Sequence, residues 1–97
     1  MSGDSRPSFT ARQGQYLAFI HAYPLVLGQP PAEADMQRFF RVSGPAVHQM
    51  VLGLEKAGLI SRQPRVPRSI QLLVDPAALP DLLPDYDQSV KTPVQRY

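Results

Sequence analysis

The sequence predicts a small, mainly α domain in which three helices precede a small β-hairpin. Three observations carry this prediction. Three apolar stripes recur at helical spacing, each bounded by its own start or stop residues. A three-residue connector, Arg41-Val42-Ser43, separates the second stripe from the third. Behind the third stripe, two apolar segments flank a turn stiffened by Pro64 and Pro67. At 97 residues the chain fits one compact domain with a single core.

The first helix is expected to begin after Thr10. Its hydroxyl and Gln13 three residues later form a capping-box pattern. Tyr16, Leu17, Ile20 and Tyr23 then share one face, and Pro24, which lacks an amide donor, is expected to end or kink the helix. Gly28 and Pro30-Pro31 mark a loop. In the second helix Met36, Phe39 and Phe40 supply the apolar face, and Glu33 and Asp35 lie in the first turn, where the helix dipole favours acids. Ser43 is placed to cap the third helix, with Pro45 in its first turn, Val47, Met50, Val51 and Leu54 as its stripe, and Gly58 as its left-handed stop. Two helices joined by so short a connector read as a helix-turn-helix. The segments Leu59–Arg62 and Ser69–Val74 read as the two strands of a wing. The whole is a three-helix winged helix-turn-helix over residues 10–74, after a polar, flexible start (1–9) and before a Pro-rich extension (75–97).

In that extension Asp75 and Pro76 resemble a helix start, and Leu79, Leu82 and Leu83 give a small apolar face that Pro80 interrupts. These leucines are expected to pack on their own domain or on a second copy, making a homodimer. From Gln88 onward disorder is expected.

Composition narrows the chemistry. With no cysteine, disulfides, thiolate zinc sites and a cysteine nucleophile are excluded. His21 and His48 fall on different helices without a carboxylate cluster, so neither a metal nor a cofactor is expected. No G-x-S-x-G, P-loop or paired-carboxylate pattern suggests an enzyme. The chain has no membrane-length apolar run and no signal-peptide pattern, so a cytoplasmic protein without a membrane partner is expected.

The charge is sorted along the chain. From Arg41 to Val74 the charged residues are Arg41, Lys56, Arg62, Arg65, Arg68 and a single acid, Glu55, a net of about +4 suited to phosphates. If the third-helix stripe faces the core, Pro45, Ala46, His48, Gln49 and Leu52 face elsewhere. Gln49 suits an adenine edge, His48 a guanine edge or phosphate, and Ala46 a thymine methyl. Arg62, Arg65 and Arg68 lie in or beside the wing turn. With no acid nearby, contact with phosphates or the minor groove is their expected role. Arg41 and Ser43 sit where the third helix's free amides can also hold a phosphate.

Taken in order, Thr10-Ala11-Arg12-Gln13, Gly28-Gln29-Pro30-Pro31, Ser43, Lys56-Ala57-Gly58-Leu59-Ile60 and Pro67-Arg68-Ser69-Ile70-Gln71-Leu72 resemble the N-terminal DNA-binding domain of LexA-type repressors. The resemblance spans residues 10–73. It implies a sequence-specific repressor that binds double-stranded DNA through its third helix. It does not carry over the family's self-cleaving Ser-Lys protease domain, for which this sequence offers no room and only Lys56 and Lys91. Pro45, His48 and Gln49 replace the amide and acidic groups of the best-known members, so their operator does not carry over either. The competing readings are a winged-helix protein-interaction module and an antirepressor-type accessory protein.

Overall fold

A computed structural model of the chain describes residues 8–84. The order is α1 (Ala11–Leu27), α2 (Glu33–Phe40), α3 (Gly44–Lys56), β1 (Ile60–Ser61), β2 (Gln71–Leu72) and a single 3-10 turn at Pro76–Ala78. The strands are antiparallel, with Ile60 opposite Leu72 and Ser61 opposite Gln71. Three helices and a hairpin thus form the expected winged helix-turn-helix.

Local chemistry sets the helix ends. Thr10 Oγ1 accepts the Gln13 amide at 3.0 Å and Gln13 Oε1 accepts the Thr10 amide at 2.9 Å, which completes the capping box. Ser43 caps α3 by accepting the Ala46 amide at 3.2 Å. At the far end of α3, Gly58 is left-handed (φ 79°). The Leu59 amide then donates to the Leu54 carbonyl and the Gly58 amide to the Glu55 carbonyl, both at 3.0 Å, closing a Schellman motif.

The core lies where the three stripes meet the hairpin. Val47, Val51 and Leu54 of α3 are fully buried, as are Leu17 of α1 and Met36 of α2; Met50 is half-buried against them. Tyr16 stacks on Phe40 with ring centroids 4.1 Å apart, and Phe19 meets Phe39 at 4.9 Å. Leu59, Ile60 and Ile70 close the core from the hairpin side.

Four local expectations are corrected. Of the two effects expected of Pro24, an end or a kink, the end is overturned, since α1 runs on to Leu27. The added turn is closed by left-handed Gly28, whose amide donates to the Pro24 carbonyl at 2.9 Å. Tyr23, the residue a following proline disfavours in a helix, is held by its ring contact with Phe19. The ladder is shorter than either predicted strand. The Gln63 amide donates to Ser69 Oγ instead of a strand carbonyl, and Arg65 and Arg68 are left-handed. Phe9, expected in the flexible start, packs half-buried on the core.

The fourth correction is the extent of the helix expected from Asp75, which is one 3-10 turn; Leu79 and Leu82 take one of the two places expected for them, on their own domain. Asp75 caps only the 3-10 turn, by accepting the Ala77 amide at 3.0 Å. The chain then runs without regular structure along α1, where Leu79 and Leu82 pack against the core. Buried Gln15 grips this strap at two points. Its Nε2 donates to the Asp81 carbonyl and its Oε1 accepts the Leu83 amide, each at 2.9 Å. Gly14 allows the approach, because a Cβ there would stand 3.1 Å from Pro80 Cγ. The strap covers α1 at Gly14 and Gln15, and with the core contacts of Tyr16, Leu17, Phe19 and Ile20 the whole stretch from Gly14 to Ile20 is buried. The expected disorder from Gln88 onward lies outside the described residues.

Candidate nucleic-acid interface

Because the α3 stripe faces inward, Pro45, Ala46, His48 and Gln49 form an exposed face at the helix's N-terminal half, with Leu52 half-buried beside them. Ser43 stands at the head of this face. Arg41 stands next to it, exposed and left-handed (φ 59°) as the C-cap of α2. The connector therefore brings Arg41, Ser43, Pro45, Ala46, His48 and Gln49 together, as their spacing predicts. His48 has a partner on α2. Its Nδ1 lies 3.2 Å and 3.3 Å from the two carboxylate oxygens of Glu33, in the first turn of α2.

The wing arginines occupy three different environments, and the expectation that no acid stands near them is corrected. Arg62 donates its Nε–H to Glu55 at 3.0 Å. Arg65 is exposed at the wing turn, with φ 66°. Arg68 turns inward, donating from Nη1 to Asp35 Oδ2 at 3.1 Å and to the Pro30 carbonyl at 3.0 Å. Sequence distance hides both pairs, since Glu55 is seven residues from Arg62 and Asp35 is 33 residues from Arg68.

Asp35 is the residue that sequence reasoning undervalued. Its side chain is only 7% exposed, yet it accepts the Ala32 amide at 2.8 Å and an Arg38 guanidinium N–H at 2.6 Å. Burial pushes its carboxyl up, but the Ala32 amide, the Tyr23 hydroxyl, and the charges of Arg68 and Arg38 together hold it below the ordinary value of 3.8. The available signal was its place three residues after Ala32, where an acid reaches back to the cap amide. Between α2 and the wing lies an open cleft of about 370 Å³, whose lining includes Pro31, Glu33, Arg62, Arg65, Val66 and Arg68.

Two curated proteins are similar to this chain in sequence. The LexA repressor of Thermosipho africanus is 39% identical over 67 residues, which is 69% of this chain and 34% of that protein. The LexA repressor of Thermosipho melanesiensis is 36% identical over 64 residues, covering 66% of this chain and 32% of that protein. Over about two thirds of its length the chain is similar to LexA repressors. It spans about a third of the length of the curated relatives it matches. No family model matches the chain. Among the described residues, no helix is long and apolar enough to cross a membrane.

Proposed function

We propose that this LexA-like domain binds double-stranded DNA in a sequence-specific way and represses transcription by occupying an operator, without catalysis. The observation that carries the reading is the two-sided character of α3. One stripe is fully buried at Val47, Val51 and Leu54, while Pro45, Ala46, His48 and Gln49 stand exposed beside a wing. That is the geometry by which a helix-turn-helix lays its second helix in the major groove. The names of the relatives, both repressors, support it.

In this reading Gln49 and His48 read base edges, and Ala46 and Pro45 make apolar contacts. Ser43 and Arg41 hold a phosphate near the head of α3. Arg65 is the wing's outward cation, and Arg62 reaches the backbone at the wing's edge while shared with Glu55. One such domain reads only a few base pairs, so a homodimer on two half-sites supplies the remaining specificity.

The test is selection of bound sequences from random duplexes, followed by salt titration on the enriched motif. Gln49→Ala or His48→Ala should alter the preferred base at one position, at a cost of about 1–3 kcal/mol of discrimination. Arg65→Ala should weaken binding to all duplexes and flatten the salt dependence. If selection enriched no motif, the protein-interaction reading would replace this one.

A further inference from the structure

The ladder that carries the wing is two residue pairs long, which is too short to fix the wing's direction by itself. The turn beyond it is a closed unit. Ser69 Oγ accepts the Gln63 amide at 2.9 Å and donates to the Gln63 carbonyl at 3.1 Å. Beyond the Arg62–Glu55 pair at its edge, Arg68 ties this unit to the helices. Its Nη1 meets acceptors from three separate segments: Tyr23 Oη of α1 at 3.5 Å, the Pro30 carbonyl of the loop at 3.0 Å, and Asp35 Oδ2 of α2 at 3.1 Å. Arg68 holds this position in a left-handed conformation (φ 58°), which residues with a Cβ rarely adopt.

We infer that Arg68 is a positioning residue for DNA binding: it pins the wing turn to α2 so that Arg65 stands at a fixed place beside the exposed face of α3. The inference rests on the function proposed above. Arg68 is less suited than Arg65 to bind a phosphate itself, because its Nη1 is already engaged by three acceptors, among them the carboxylate that Asp35 shares between Arg68 and Arg38. Pulling Arg68 outward would also take from the buried Asp35 carboxylate one of its two charged partners, leaving it Arg38 and the Ala32 amide. Arg65 lies three residues earlier in the same turn, exposed and with no ion pair among the described residues. The two arginines thus divide the work, one anchoring and one reaching.

The experiment compares Arg65→Ala, Arg68→Ala, the double variant and Arg68→Lys by salt titration on the selected duplex, with trypsin digestion of the free proteins alongside. Loss of one phosphate contact lowers the salt slope by about 0.9. Arg68→Ala should lose affinity and slope as Arg65→Ala does, and the double variant should match Arg65→Ala within about twofold, because both changes remove the same contact. Arg68→Lys should recover binding, since one nitrogen serves all three acceptors and an ammonium can take its place. Trypsin should cut after Arg65 faster in Arg68→Ala than in the wild type. A double variant with the two losses added, together with unchanged digestion, would overturn the inference and make Arg68 a phosphate contact. If the wild type bound no duplex, the underlying DNA reading would fail instead, while faster digestion of Arg68→Ala would still show the wing released.

Discussion

Replacing Gln15 by alanine should release the strap and cost about 1–3 kcal/mol of folding stability. The magnitude follows from two hydrogen bonds, to the Asp81 carbonyl and from the Leu83 amide, each worth about 0.5–1.5 kcal/mol net. Two effects bound it. Asp81 and Leu83 are exposed, so their freed backbone groups return to water without a locked-in desolvation penalty. A strap that lets go forfeits the partial burial of Leu79 and Leu82 but regains backbone entropy, about 1–2 kcal/mol per residue freed. Release therefore caps the loss. Urea unfolding measures the change, and amide exchange locates it: Leu83 should lose its protection in Gln15→Ala while Leu59, bonded to the end of α3, should keep it. The decisive comparison is the same substitution in a chain truncated after Leu79, where Gln15 has no strap to hold and its replacement should cost far less. An equal loss in both chains would refute the clamp.

Leu54→Ala, at a fully buried α3 position, should cost about 2–5 kcal/mol in the same assay, a large share of the stability of so small a domain. Gly58→Ala should cost about 1–2 kcal/mol through its left-handed backbone alone, because a Cβ there meets nothing within 4 Å. Stability should also fall in acid through Asp35. Its carboxyl is held below the ordinary 3.8 in the folded chain, so its contribution is complete above that value and disappears as pH falls through the lower, folded one. Unfolding measured from pH 6 downward should show this decline, and Asp35→Asn should flatten it.

The parts of the fold legible in the sequence are those set by neighbours a few residues apart. Thr10 with Gln13, Ser43 with Ala46, and Gly58 after Lys56 are local devices, and the structure forms each of them. The stripe Val47, Met50, Val51 and Leu54 needs only helical spacing to be recognised, and its opposite face then follows by geometry. Local rules misled where distant contacts compete with them. Pro24 argues for a stop within α1, but the contacts of Tyr23 and the closure at Gly28 carry the helix one turn further. Gln15 reads as an ordinary polar residue beside Tyr16, and only the return of the chain 66 and 68 residues later gives its amide two partners.

The same contrast separates the two halves of the candidate site. The α3 face is a consequence of one helix packing, so Pro45, Ala46, His48 and Gln49 are readable from spacing alone. The wing is a consequence of tertiary electrostatics. Arg62, Arg65 and Arg68 look equivalent in sequence, yet one meets Glu55, one faces solvent and one meets Asp35. Net charge over the segment therefore overstates the cations the wing can offer to a phosphate. Two of the three already have carboxylate partners, and an ion pair retained in a complex releases fewer counterions than a free arginine. It follows that the salt dependence of the proposed DNA binding should report fewer wing contacts than arginines, with Arg65 carrying the largest share.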